Sequence, residues 1–217
     1  KVTYREQTGN EPGMIFFDRM EGMVRNLTTD SLLISQGTEL IAIASTYLMG
    51  KAKVEGEFRF PLNSPADTFY FQGKAGRVDM TIFNPMVSKV APVRIKGGVV
   101  DSVNIHWMRG NGIYATGLLD LYYQNLQVEL LKEKPDFWNK TGTSLMQILV
   151  NLAVPQDNPG YFGIHRPGYI WNKRDDEKGY FNFFWKSLLT GLKSSEGLNS
   201  KEQKAFKKAL KREMKNR

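Results

Sequence analysis

Apolar and polar side chains alternate cleanly along residues 52–62. Ala52, Val54, Gly56, Phe58, Phe60 and Leu62 share one phase; Lys53, Glu55, Glu57 and Arg59 share the other. Successive side chains of a strand point to opposite faces, so this stretch predicts a sheet with one greasy face and one wet, charged face. Residues 14–24, 39–49 and 68–78 alternate more loosely and predict further strands, and residues 2–4 also read as strand. In residues 99–108, Val99, Val103, Ile105 and Trp107 fall in phase, which puts His106 on the face opposite Trp107. Arg109-Gly110-Asn111-Gly112 is a hairpin-turn signal, and the next strand runs from residue 113 to about 131. Its apolar phase is odd through Ile113, Ala115, Leu119 and Leu121, then even through Leu126, Val128 and Leu130. A flip of one residue predicts a β-bulge near residues 122–125. Long strands joined by tight turns make an antiparallel meander rather than βαβ units.

Helical spacing interrupts and then follows this pattern. Asn84-Pro85 predicts a short helix near 84–91, with Asn as N-cap and Pro at the first helical position. Leu145, Ile148, Leu149 and Leu152 give a helix over 144–153. Residues 156–168 read as a turn-rich connector. Phe181, Phe184, Trp185 and Leu188 share one face of a helix over 180–192. Ser200-x-x-Gln203 is a capping box that opens a last helix, with a narrow stripe of Phe206, Ala209, Leu210 and Met214. The expected fold is therefore α+β and mostly β. A long-stranded, curved, groove-like antiparallel sheet fills 1–133, a helical and connector region over 134–198 packs on it or caps it, and a basic amphipathic helix or tail fills 199–217.

Charge changes the picture only at the end of the chain. The formal net charge is +8, yet residues 199–217 hold eight Lys/Arg against two Glu, so the body is nearly neutral. A domain-wide nucleic-acid footprint is not supported, and nucleic acid is not an expected partner. Lys204, Lys207, Lys208, Lys211 and Arg212 belong either to a solvated, partly frayed helix or to a candidate contact for an anionic surface, a membrane or a partner. The chain has no cysteine, which excludes disulfides and thiol chemistry. No stretch of about 18 apolar residues occurs, so no transmembrane helix is expected. Residue 1 is Lys and the following residues already read as strand, so the expectation is a piece of a longer gene product or a chain that begins after a cleaved leader.

Catalytic chemistry finds little support. His106 and His165 are the two histidines, and nothing in their spacing brings them together. No metal-ligand spacing, nucleophile elbow or phosphate loop appears, so neither a metal nor a cofactor is expected. Gly110-Asn111-Gly112 lacks the downstream glycine of a phosphate cradle and sits between strands. Asp175-Asp176-Glu177 reads as a solvated turn. The expectation is a protein that is not an enzyme. Its apolar sheet face is either the core beneath the C-terminal helices or, in part, a groove for acyl chains. Phe58, Phe60, Phe69, Phe71, Val103, Ile105 and Trp107 are the candidate lining residues.

Residues 83–131 carry a resemblance. Phe83-Asn84-Pro85, then residues 93–101 reading VRIKGGVVD, then Tyr114-Ala115-Thr116-Gly117 and the run Leu119, Leu121, Tyr123, Leu126, Val128, Leu130 are similar to the AsmA-like family of the AsmA, TamB and YhdP type. Asn158-Pro159-Gly160, Arg174-Asp175 and Phe183-x-Trp185-x-Ser187-Leu188 resemble the endings of its large members. The resemblance implies a C-terminal part of a bacterial cell-envelope protein that faces the periplasm, with a membrane anchor outside this segment. It implies a curved β-groove that contributes to phospholipid transfer or outer-membrane lipid homeostasis, with acyl chains as ligands. The alternative is a structural or assembly module that binds protein partners in the envelope. A sheet this short bridges no periplasm, so any conduit belongs to the whole protein and this segment is expected to act as a terminal cap.

Overall fold

The computed structural model describes residues 1–6, 11–66, 68–90, 93–131 and 155–215. The helix expected over 144–153 lies outside the described residues. The chain forms an open, curved antiparallel sheet of nine strands followed by helices. The strands are β1 (Val2–Glu6), β2 (Gly13–Arg25), β3 (Glu39–Leu48), β4 (Ala52–Pro61), β5 (Phe69–Ala75), β6 (Val78–Asp79), β7 (Val93–Gly110), β8 (Tyr114–Leu130) and β9 (Gly168–Lys173). Their order is β1-β2-β3-β4-β5-β7-β8-β9, with the short β6 also paired to β7. Helix α1 (Ser31–Ser35) joins β2 to β3, and α2 (Asn84–Val90) follows a 3-10 turn at Met80–Phe83. The chain closes with α3 (Tyr180–Ser195) and α4 (Lys201–Lys215).

The alternation of residues 52–62 becomes β4, and register propagates it across the sheet. Val24 pairs Ala42, Ala42 pairs Phe58, Phe58 pairs Phe71 and Phe71 pairs Met108. Directly paired residues project to the same side, so this rung defines an inner face. The next rung inward is small: Gly22, Ala44, Gly56 and Gly73, ending at Ile105. Smallness has a use here, because the Phe71 ring lies across Gly56 and Gly73 where any Cβ would collide with it. Helix α3 covers the inner face of β8 and β9. Its stripe of Phe183, Ser187, Gly191 and Ser195 is buried, and the small residues let the backbone come close. The main core comprises Phe69, Phe71, Val93, Met108, Leu119, Ile170 and Phe183 with their neighbours. A smaller cluster of Ile15 and Met86 packs with Tyr4, Phe17 and Trp185.

The predicted bulge in β8 is present. Asn125 adopts φ 56°, and the β7–β8 register shifts between Gly97 and Val99, opposite Gln127 and Gln124. Tyr123 and Leu126 consequently both face the core. The hairpin turn is also present: the Asn111 side chain accepts from the amides of Ile113 and Tyr114 at 2.9 Å each.

Asn84 behaves differently from its expected role as helix cap. Its side chain donates to the Ile95 carbonyl and accepts from the Ile95 amide, both at 2.9 Å, so it clamps β7. Asp79 does the capping one turn earlier, accepting from the Thr81 amide at 2.8 Å. Strand β9 has no counterpart in the sequence reading.

Candidate functional site

The seven apolar candidates separate into three environments. Phe58, Phe69 and Phe71 lie beneath α3. Phe184 stands over the first and third, with ring centres 5.0 Å from Phe58 and 4.8 Å from Phe71, while Phe183 meets Phe69 edge-on at 6.2 Å. Val103 and Ile105 share this inner face and are partly buried in the same cluster. Phe60 stacks on Phe58 at 5.8 Å but remains 37% exposed. The rung therefore passes from covered at β5 to open at β2, where Val24 is 56% exposed.

Trp107 departs from the expected phase. The β7–β8 register shifts between Ile105 and Trp107, so Ile105 pairs the buried Leu119 while Trp107 pairs Leu118 on the outer face. The extra residue turns Trp107 away from Val103 and Ile105, and Met108 takes the core position with no exposed surface. Trp107 meets Phe206 of α4 edge-on at 6.2 Å. The same bulge places His106 on the outer face as well, not opposite Trp107: its Nε2 lies 2.6 Å from Asp120 Oδ2.

The two histidines also converge on the one carboxylate of Asp120, contrary to the sequence expectation. His165 Nδ1 lies 3.5 Å from the other oxygen of Asp120, and its ring stacks on Tyr122 with centres 4.6 Å apart. The signal is legible only in three dimensions, because Asp120 is 14 residues from one histidine and much further from the other. Among the described residues no group of three or more His, Asp or Glu side chains is arranged to hold a metal ion. A broad hollow on the outer face has a mixed lining, in which Glu21, Glu57, Lys74 and His106 stand beside the apolar Met23 and Ile43.

A polar hub ties the connector to β8. Asn158 is fully buried; its side chain donates to Leu121 O at 2.7 Å and Arg166 O at 3.0 Å and accepts from the Arg166 amide at 2.9 Å. Arg166 in turn donates to Asp157 O at 2.7 Å and to Ser195 O at 3.1 Å. Beside it, the Tyr123 hydroxyl lies within hydrogen-bond reach of Pro155 O and of the Glu196 carboxyl group, and its one proton serves one of them at a time. Burial pushes the Glu196 carboxyl up to about 7, against the pull of the Tyr123 hydrogen bond and the Arg166 charge. Burial and the same Glu196 charge push the Tyr123 phenol up.

Between the two ends of this hub, residues 160–164 project into solvent. Tyr161 is 96% exposed, Phe162 83% and Ile164 66%. The loop is closed on itself: the Gly163 amide donates to Gly160 O at 2.8 Å, and the Gly160 amide to Ile164 O at 3.3 Å. Sequence reasoning passed over these residues as connector. The available signal was three large apolar side chains in a stretch with no element to bury them, bracketed by Pro159 and Pro167.

Lys204, Lys207, Lys208, Lys211 and Arg212, joined by Lys215, line one side of α4. The capping box is formed, with Ser200 Oγ accepting from the Gln203 amide at 3.1 Å and Gln203 Oε1 from the Ser200 amide at 2.9 Å. The stripe that docks the helix is Gln203, Phe206 and Leu210; Ala209 is exposed. Gln203 Nε2 donates to Tyr169 O at 2.6 Å and Thr190 O at 2.9 Å. Ser194 Oγ accepts from the Tyr169 amide, and Thr190 Oγ1 from the Trp171 amide. The outward backbone groups of edge strand β9 are thus met by side chains, which blocks a further strand there.

Asp175 to Glu177 form an exposed turn, as expected of a solvated cluster. Among the described residues no helix is long and apolar enough to cross a membrane. Compared with family models, with curated proteins and with solved structures, the chain matches none.

Proposed function

We propose that this chain is a non-enzymatic module of an AsmA-like bacterial envelope protein, and that the uncovered part of its inner sheet face receives phospholipid acyl chains on the periplasmic side. The observation that carries the reading is the rung Val24, Ala42, Phe58, Phe71, which begins open at β2 and ends beneath α3. Together with Phe60 it offers an apolar strip with an aromatic end wall. The driving force is partitioning: each methylene moved out of water gains about 0.8 kcal/mol. Phe58 and Phe60 are the lining residues in this reading, while Phe69 and Phe71 form the packed floor under the helix.

Lipid extraction and mass spectrometry of protein purified without detergent test it. Phospholipid is expected with the native chain and is expected to be lost from Ala42→Asp, which places a charge in the strip. A native chain that carries no lipid defeats the reading.

A second reading, assembly with envelope proteins, rests on the contrast between the sheet's two edges. β9 is capped by side chains, whereas no hydrogen bond among the described residues meets the outer edge of β1. An added strand at β1 is the recognition mode this edge allows. Loss of partner capture on Thr3→Pro, with the fold intact by circular dichroism, tests it.

A further inference from the structure

We infer that the 160–164 loop and helix α4 together form a bilayer-docking surface, in which Tyr161, Phe162 and Ile164 enter the interfacial layer of an anionic phospholipid membrane whose headgroups α4 holds.

The loop combines two properties that rarely coincide. Its tip is apolar and largely in solvent, yet Asn158 at its root is as buried as core. Asn158 and Arg166 fix the two ends through the hydrogen bonds given above, and the tip closes through Gly163 at φ 68°. A held loop loses little conformational freedom on binding, so its apolar surface converts more fully into affinity. Tyr suits a bilayer's interface, with an apolar body and a polar end, and Phe and Ile supply apolar surface to bury beside it.

Helix α4 supplies the second component. Six cationic side chains share one side of it. No ion pair to an acidic residue engages Lys204, Lys207, Lys208, Lys211 or Arg212 among the described residues. Its opposite side is anchored by Gln203 and by Phe206, which packs on Trp107 and Tyr169. The cations are therefore presented on a fixed helix. Such a face is drawn to an anionic bilayer by an attraction that adds with each Lys or Arg and that salt screens.

Both components rise from the same side of the sheet. His165, at the foot of the loop, stacks on Tyr122; Phe206 and Lys207 lie on Tyr169. Tyr122, Trp107 and Tyr169 all project from the outer face, opposite α3. Arg166 further ties the loop's root to Ser195, at the end of α3 just before α4 begins. The charge fixes the occupant: six clustered cations select an anionic surface, and the exposed aromatics select one with an apolar interior. This inference is independent of the acyl-chain reading, since a chain whose sheet face holds no lipid can still sit on a bilayer.

Vesicle co-sedimentation of the full chain tests it, with phosphatidylcholine vesicles against vesicles of phosphatidylcholine and phosphatidylglycerol. Binding is expected only to the anionic vesicles, and to weaken as salt rises. Tyr161→Ser/Phe162→Ser/Ile164→Ser is expected to lower affinity roughly tenfold or more at constant salt, and Lys207→Glu/Lys208→Glu/Lys211→Glu to abolish binding. Phe162→Trp supplies a direct probe, whose added indole is expected to shift its emission to the blue on vesicle addition and to be quenched by brominated lipid. Equal binding by the native chain and the loop variant overturns the proposal. So does an indole emission in the Phe162→Trp variant that stays unmoved by vesicles to which the protein binds. Failure of the native chain to bind anionic vesicles overturns it too, including the case in which these side chains hold a protein partner instead.

Discussion

Gly168 and Gly191 meet backbone to backbone: a methyl group on Gly168 would lie 2.3 Å from the Gly191 carbonyl oxygen. This contact seats α3 on β9 and lets Leu119 and Ile170 close around the junction. The helix backbone cannot move aside without breaking its packing on β8. Gly168→Ala is expected to cost about 2–3 kcal/mol, at the upper end for overpacking, because the obstacle is backbone rather than a mobile side chain. Urea denaturation measures it; a change under about 0.5 kcal/mol, the level of an ordinary surface substitution, would show that the junction has slack.

Gln203 spans three elements from a position 3% exposed. Its amide nitrogen serves the carbonyls of Tyr169 and Thr190, and its oxygen caps its own helix. Gln203→Ala leaves two buried carbonyls with one partner fewer and is expected to cost about 2 kcal/mol. Hydrogen exchange is the sharper measurement. Amides of Tyr169 and Trp171 on β9 should exchange faster while those of β4 do not, because the edge loosens before the sheet does.

Glu196 makes stability depend on pH in an unusual direction. Folded, it keeps its proton up to about pH 7, whereas its ordinary value is 4.5. Its contribution is intact below about pH 4.5 and is lost as pH rises through 7, a fall of roughly 3 kcal/mol. Glu196→Gln should remove that slope and leave the protein more stable than native at pH 8. Lys193, held down to about 8 by burial, acts outside this window, adding stability between that value and 10.5 as pH rises. Melting temperatures of the native and Gln forms from pH 4 to 8 check this. Parallel curves would exclude Glu196 as the source.

Trp107 and Met108 mark where the sequence stops being legible. Strict alternation put Trp107 on the inner face, and it succeeded for Phe58, Phe69 and Phe71 because β4 and β5 pair through that rung without interruption. β7 carries four register shifts against β8. The bulge in β8 announced itself through a phase change on its own strand, with apolar residues on both sides. The shift at Ile105 did not, because Trp107 and Met108 are both apolar and either one completes a pattern. Strand β9 escaped for a related reason: its six residues are flanked by turn residues and lack alternation, since both faces are covered. The pairing of His106 and His165 through Asp120 depends on β7, β8 and the connector lying side by side, which no local spacing encodes. The bulge yields a direct comparison. Met108→Ala should cost about 3 kcal/mol, as expected for a core truncation. Trp107→Ala should cost less but release Phe206, seen as faster exchange in α4 alone. The reverse ranking would return Trp107 to the core.

Phe184 and Phe60 stand at opposite ends of the same aromatic strip, and the strip's two possible uses predict opposite outcomes for them. Phe184 sits over Phe58 and Phe71 and binds the helix to the sheet. Phe184→Ala is expected to destabilise by about 3 kcal/mol, since it removes a packed ring from a partly buried site. Phe60 stacks on Phe58 from the exposed side, so Phe60→Ala is expected to cost under about 1 kcal/mol. Binding of an apolar fluorophore to the native fold separates packing from ligand contact. If the open end receives acyl chains, Phe60→Ala weakens fluorophore binding severalfold although its stability is nearly native. Phe184→Ala, at a urea concentration where it remains folded, strengthens binding by uncovering Phe58. Equal binding by Phe60→Ala and the native chain would mean that the strip is core along its whole length and that the open rung at Val24 is only its frayed margin.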